Sequence, residues 1–397
     1  MPDNVNITLQ NDLIWVLGRL EQAGYEAYTV GGFVRDALLG KMAGDCDITT
    51  SALPEDIKRV FADERTVDTG IKHGTVTLVY RGVPYEITTY RVDGEYADNR
   101  HPDRVQFTAS LEEDLARRDF TVNAMAYSES RGLVDAFGGR EDLARGIIRA
   151  VGDPTRRFTE DALRILRALR FASVLDFTVE DATRAAVFAE AYRLEKVSVE
   201  RVLVELRKLL SGRGAYRILS EYGRIISDML SLGALSLPEE ASFSAMTGTE
   251  RLISMFYLSS DEPAAAHSQA MRRLHSDRET ERFGSLVLET MTSELAGDGL
   301  YEAILDYGTD VVSTALSILS RLGRATDAQA RFAELRARGV PISVAELSVG
   351  GRELISLGYS GAKIGSLLRS LAVAAMSGRV ENTASALLEY IKKAPLA

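Results

Sequence analysis

Hydrophobic and polar positions follow two rhythms in this chain, and the change falls near residue 142. Before it, short apolar runs alternate with turns. Residues 11–23 carry apolar side chains at helical spacing and stop at Gly24; residues 25–30 read as a short strand; residues 33–39 give a brief helix stopped by Gly40. An extended run over 45–49 leads to a helix over 54–61, opened by Pro54, with Glu55 and Asp56 near the positive end of its dipole. In residues 75–80, Val76, Leu78 and Tyr80 alternate with Thr75 and Thr77. Past Arg81-Gly82 the alternation resumes, with Val83, Tyr85 and Ile87 against Glu86 and Thr88, which predicts a hairpin. Residues 91–104, RVDGEYADNRHPDR, have dense charge, a Gly, a Pro and no period, and read as a long functional loop. A helix at 111–115 then meets Arg117-Arg118-Asp119, an apolar run over 120–127 encloses Asn123, and 134–137 reads as a strand before Gly138-Gly139.

After residue 142 the spacing is helical almost throughout, broken at Gly152-Asp153-Pro154, Ser211-Gly212, Leu237-Pro238, Gly339-Val340-Pro341 and Gly358. The expected fold class is α+β. A head with a small mixed sheet spans 1–142, followed by an all-α neck over 143–212, body over 213–340 and tail over 341–397.

Composition changes this picture little. The 397 residues are 46% hydrophobic and 26% charged, which suits a globular chain with a sizeable core. The first residues lack a basic stretch followed by an apolar run, so no signal peptide is expected, and no apolar run is long enough to predict a membrane span. One cysteine excludes an intrachain disulfide and a Cys-rich zinc site, and together these features point to the cytoplasm. The net charge of −10 argues against a generally basic nucleic-acid binder, but binding needs only a local patch. Residues 145–213 hold 14 Lys and Arg against 10 Asp and Glu. Further basic clusters lie at Arg272, Arg273, Arg278 and Arg282, and at Arg321, Arg324, Arg331, Arg336 and Arg338; each is either a solvated helix face or a phosphate contact. His73, His101, His267 and His275 are far apart in sequence and support no histidine-based metal centre.

Chemistry concentrates first in residues 30–50, VGGFVRDALLGKMAGDCDITT. Gly31-Gly32 lets the backbone approach a bulky anion, and the helix that follows offers free N–H groups to phosphate. Asp45 and Asp47, two apart on a strand, put both carboxylates on one face, where they can share hard cations, with Cys46 turned towards the core. This reads as a nucleoside triphosphate site; a turn, a helix and a solvated Asp pair is the plain alternative. Glu86 falls opposite Tyr85 and Ile87 and is either a third carboxylate or an exposed strand residue.

A second constellation lies in residues 160–171, EDALRILRALRF. Read as one helix, Ala162, Ile165, Leu166 and Leu169 gather on one side, while Asp161, Arg164, Arg167 and Arg170 step round the other. An amphipathic helix with solvated arginines accounts for this pattern. So does a base reader, because a carboxylate only accepts and a guanidinium only donates. Side by side, Asp161 and Arg164 match the amino donor and neighbouring ring acceptor of cytosine or adenine. Uracil and guanine present the inverse, which leaves buried polar groups unpaired at about 1–3 kcal/mol each.

GGFVRDALLG, DCD, ARRDFTVNAMA and RFTEDALRILRALRF, in this order, resemble the class II tRNA nucleotidyltransferases, the CCA-adding enzymes and bacterial poly(A) polymerases of the polymerase-β-like superfamily. The resemblance covers residues 27–175, with a looser likeness at GGREL and SGRVEN near the end of the chain. It implies Gly32 and Arg35 at the triphosphate, Mg²⁺ on Asp45 and Asp47, Arg118 on the nucleotide, and Asp119 towards the ribose. Asp161 and Arg164 would read the base, with Arg167 and Arg170 serving the pocket, although the helical wheel sets Arg170 opposite Asp161. The loop from Arg91 resembles one used when the terminal A is added. The implied activity is template-independent addition of CCA to tRNA 3′ ends from CTP and ATP, by two-metal transfer with release of pyrophosphate. A poly(A) or A-adding enzyme of the same fold is the near alternative, and a non-catalytic RNA-binding scaffold the distant one. The sequence leaves open whether the chain forms a homodimer.

Overall fold

The computed structural model describes residues 7–41, 44, 46–93, 105–324 and 326–393. Its chain falls into two units, Met1–Ile218 and Leu219–Ala397.

In the first unit, α1 (Asn11–Gln22) leads into β1 (Ala27–Val30), every residue of which is buried. After α2 (Gly32–Leu38) come β2 (Asp47–Thr50), α3 (Pro54–Val60), β3 (Arg65–Gly70), β4 (Thr75–Tyr80) and β5 (Val83–Thr89). The predicted hairpin is present as β4–β5, turned by Arg81 and Gly82, both at positive φ. Next are β6 (Arg91–Asp93), β7 (Val105–Phe107), α4 (Leu111–Ala116), β8 (Ala126–Ser128) and β9 (Gly132–Val134). The seven-stranded sheet runs β3-β4-β5-β2-β1-β8-β9. Its pairs are antiparallel except β2 with β5, so the sheet is mixed as expected. Tyr28, Val30, Tyr90, Leu111, Leu115 and Ala126 form a core cluster beneath α4.

Three local readings need correction. Strand β3 was not expected: RTVDTG is too polar to show alternation, and it sits at the edge of the sheet, where only one side needs a partner. Residues 91–93 do not belong to a loop but pair as β6 with β7 in a two-stranded ribbon; 94–104 lie outside the described residues, His101 among them. The strand expected at 134–137 is instead β9, ending at Val134.

Beyond the sheet, α5 (Gly139–Arg145) and β10 (Ile147–Ile148) precede α6 (Pro154–Glu160) and α7 (Leu163–Leu175). Strand β11 (Thr178–Val179) pairs parallel with β10, a short sheet that the helical spacing hid. Then come α8 (Asp181–Glu190) and α9 (Val199–Leu210), and α10 (Ala215–Leu230), which carries the chain past residue 218.

The second unit is helical: α11 (Glu240–Ser244), α12 (Gly248–Ser259), α13 (Pro263–Arg273), α14 (Arg278–Thr292), α15 (Gly299–Tyr307), α16 (Thr309–Arg321), α17 (Thr326–Arg338), α18 (Gly351–Ser356), α19 (Ala362–Met376) and α20 (Ala384–Lys393). Several arginines of the two basic clusters are tied to internal partners, Arg272 to Glu281, Arg321 to Glu250, and Arg331 to the Gly297 and Leu295 carbonyls.

His267 shows how closely this unit packs. Its ring is 1% exposed and lies edge-on to Phe256, and a Cβ at Gly284 would overlap it. Burial pushes its pKa down to about 4, against the raising pull of Glu281. The folded chain therefore binds the imidazole proton more weakly than the unfolded one. The stabilising contribution is complete above pH 6.5 and is lost as pH falls towards 4. Between pH 7 and pH 5 the wild type should lose about 2 kcal/mol that a His267→Gln variant does not. Urea titrations of both proteins at the two pH values check this, and equal losses would remove His267 as the cause.

Candidate active site

Gly31 holds φ 69° and ψ −129°, a conformation that favours glycine, and its carbonyl accepts from the Arg35 amide as α2 begins. A Cβ there would sit 3.2 Å from Nη1 of Arg118. The glycine pair therefore lets the α2 backbone and a half-buried guanidinium lie against each other. Arg118 donates to Asp114 Oδ2 at 3.4 Å, yet its Nε is buried and makes no hydrogen bond among the described residues. Burial pulls its pKa down, against Asp114.

Asp114 is fully buried and gathers much of the site. Its Oδ1 accepts from Arg117 Nε at 2.9 Å and Nη2 at 2.8 Å, and from the Arg91 amide at the base of β6. Its Oδ2 also accepts from Thr49 of β2 at 3.3 Å. Burial alone would raise its pKa, but Arg117 and Arg118 outweigh that and hold it below the usual carboxylate range. Sequence reasoning does not single out Asp114. The signal was its spacing, three and four residues before two arginines on a helix end.

Asp47 and Glu86 are both exposed and stand side by side in the parallel register of β2 and β5. Ile48 and Ile87, the next pair along the two strands, are buried. The placement of Glu86 beside Asp47 depends on a pairing that no local pattern specifies. Asp45 lies outside the described residues. Cys46 is half-buried, and burial, with Asp47 beside it, pushes its thiol up to about 12. Among the described residues no group of three or more His, Cys, Asp and Glu side chains stands together as a metal site. The Asp47–Glu86 pair alone offers adjacent hard oxygens and fits an oxygen-coordinated divalent cation.

The helix read over 160–171 is two helices. Asp161 is extended, with φ −140° and ψ 103°, and ends α6; α7 starts at Leu163. The cause is the short carboxylate, which turns to accept from the Leu163 amide at 3.0 Å and so caps the second helix. Asp161 therefore does not share a helical face with Arg164. Its Oδ2 accepts from Arg201 of α9 at 2.9 Å. Arg164, in the first turn of α7, donates to Glu160 Oε2 at 2.9 Å and to the Arg117 carbonyl at 3.0 Å. Arg164 is thus placed against the Arg117–Asp119 segment, and for Asp161 α9 supplies a partner that the sequence did not suggest.

Arg167 donates twice to Asp119 Oδ2, at 2.9 and 2.6 Å. Burial alone would push the Asp119 carboxyl up, but Arg167, with the Asn123 amide and Arg164, brings it down to about 2. Arg170 donates to Glu205 of α9 at 2.8 Å and covers the Phe171 ring at 3.4 Å; the wheel that sets it opposite Asp161 does not apply, because α7 begins only at Leu163. Arg35 is held by Asp36 and by Asn123 Oδ1.

This is a nucleotidyltransferase head joined to a helical neck, and comparison with known proteins agrees. A model for the Poly A polymerase head domain matches residues 27–149, and one for the probable RNA and SrmB- binding site of polymerase A matches residues 176–223. A CCA-adding enzyme of Lactobacillus helveticus is 39% identical over 388 residues, covering 95% of each chain. The crystal structure of the Bacillus stearothermophilus CCA-adding enzyme in complex with CTP matches with a TM-score of 0.76 at 32% identity, over 97% of this chain and 98% of that one. The Thermotoga maritima CCA-adding enzyme complexed with tRNA_CCA shares the fold, with a TM-score of 0.72 at 20% identity, over 98% and 97%. The chain belongs to the CCA-adding enzyme family, a family of nucleotidyltransferases dependent on divalent metal. Among the described residues no helix is long and apolar enough to cross a membrane.

Proposed function

We propose that this protein adds CCA to the 3′ end of tRNA, one nucleotide at a time, from CTP and ATP and without a nucleic-acid template. The observation that carries the reading is the buried Arg118 Nε without a hydrogen-bond partner, set against Gly31. A buried donor left unmatched costs about 1–3 kcal/mol, and a triphosphate oxygen would satisfy it. Gly32 and Arg35 hold the same triphosphate from α2. Asp119 supports the ribose side, and Arg167 holds Asp119 in place. Asp161 and Arg164 read the base with the capacity their fixed partners leave: Arg164 keeps N–H donors and Asp161 keeps lone pairs. Arg170 steadies the pocket wall through Glu205 and Phe171.

Asp45 and Asp47 would hold Mg²⁺, with Glu86 beside Asp47. A divalent cation bound there lowers the pKa of the attacking 3′-hydroxyl and steadies the triphosphate. The 3′-oxygen attacks the α-phosphorus, and the bond to the pyrophosphate oxygen breaks. The remaining helices fall into neck, body and tail over 143–212, 213–340 and 341–397, with the tail on tRNA. A tRNA substrate places the work in the cytoplasm.

The test is incubation with tRNA lacking its CCA end, CTP and ATP. Extension by three nucleotides and then arrest is expected. Runaway A addition, or arrest after CC with both nucleotides present, would overturn the reading.

A further inference from the structure

We propose that Asn123 is a positioning residue that ties Arg35, on the triphosphate side, to Asp119, on the ribose side, so that the triphosphate grip and Arg167 of the pocket helix α7 form one line; this rests on the nucleotide-pocket reading above. Asn123 is 6% exposed and ends a single tight turn, Thr121–Asn123, that precedes β8. Its Oδ1 accepts from Arg35 Nη1 at 2.7 Å, and its Nδ2 donates to Asp119 Oδ1 at 3.1 Å. The amide orientation follows from its neighbours, because a guanidinium can only donate and a carboxylate can only accept. Asp119 passes the line on through Oδ2 to Arg167 of α7. Arg35 and Arg167 also meet at one ring, lying 5.2 and 5.3 Å from the centroid of Phe171. Alternating donors and acceptors thus run from α2 to α7, and the link in the middle must donate on one side and accept on the other. Asp has the size but cannot donate when ionised; Ala can do neither; Gln is longer by a methylene.

Asn123→Asp sharpens the argument. It keeps the shape and the acceptor for Arg35 but sets a second carboxylate against Asp119. Two such groups cannot both ionise freely, and a shared proton restores the donor. The charged groups around them are Asp119, Arg35 with Asp36 from α2, Arg118, Arg164 and Arg167 from α7, and Asp142 of α5, which accepts from Thr121.

The experiment measures kcat, the KM for CTP and ATP, the KM for tRNA and the melting temperature of the full chain, from pH 6 to pH 9. Wild type, Asn123→Ala and Asn123→Asp are compared. Asn123→Ala should raise both nucleotide KM values about tenfold and leave the tRNA KM unchanged. Asn123→Asp should match that defect at pH 8 and recover most of it at pH 6, a dependence that the other two proteins lack. If Asn123→Ala fails to fold, the recovery of Asn123→Asp decides the matter. Unchanged nucleotide KM values, a parallel rise in the tRNA KM, or no recovery at pH 6 overturn the proposal. A wild-type chain that adds no nucleotide to tRNA refutes the pocket reading itself, and the proposal with it.

Discussion

Replacing Asp47 by Ala is expected to lower nucleotide incorporation by about a thousandfold or more while tRNA binding survives. Asp47 stands exposed at the start of β2, next to Glu86 of β5, with the core beginning only at Ile48. Removing it takes away the proposed hard oxygen ligand without opening a cavity, so the melting temperature should hold within a few degrees. Asp47→Asn keeps the shape and loses the charge; it should be nearly as impaired, which separates ligand loss from misfolding. The same outcome is expected for Asp45→Ala. Glu86→Gln then decides between the two readings of that residue: a large loss makes it a ligand, and a small one makes it a strand surface. Single-turnover incorporation and a filter-binding titration with tRNA suffice, and an Asp47→Ala protein with normal turnover would refute the metal assignment.

The second large effect concerns base choice. Asp161→Ala should relax discrimination against UTP and GTP about 10- to 100-fold while triphosphate affinity falls much less, since each inverted pair is worth about 1–3 kcal/mol. The structure adds a complication that the sequence did not show. Asp161 also caps α7 and receives Arg201, so the Ala variant loses about 1 kcal/mol of stability as well. Asp161→Asn avoids part of this. Its Oδ1 can still accept from the Leu163 amide, while its Nδ2 now offers a donor where Oδ2 stood, at the loss of the Arg201 bond, because an amide nitrogen cannot accept from a guanidinium. That donor suits O4 of uracil and O6 of guanine. Asn at this position should therefore favour UTP or GTP actively, beyond mere loss of selectivity. Competition of each nucleotide against CTP measures it. If discrimination is preserved in both variants, Asp161 is a structural cap and the base is read elsewhere.

The reason these two sites differ in legibility lies in where their partners come from. Asp45-Cys46-Asp47 and Gly31-Gly32 announce themselves, because the spacing of two carboxylates and the freedom of a glycine are properties of neighbouring residues. The β4–β5 hairpin was legible for the same reason. Glu86 could only be offered as a candidate, since its place beside Asp47 depends on the parallel pairing of strands 39 residues apart. Hydrogen-bond type singles out Asp161 and Arg164 as candidates, but the single helix expected through them is two helices. Apolar period cannot register a side chain that bonds its own backbone two residues on.

By itself, then, the sequence determined the order of a mixed-sheet head and a helical remainder, the glycine and carboxylate motifs proposed for the triphosphate and metal, and the donor and acceptor types proposed to select a base. Tertiary structure alone decided the strand order that seats Glu86 beside Asp47, the break at Asp161, and the partners of the buried charges. Asp114, Asn123, Arg201 and Glu205 gained their roles only there. The physical reason is that a buried charge or amide must be satisfied by whatever polar group packing brings to it. That group comes from wherever the chain folds back, at separations of up to 88 residues for the Arg35–Asn123 bond, and no local period carries that information.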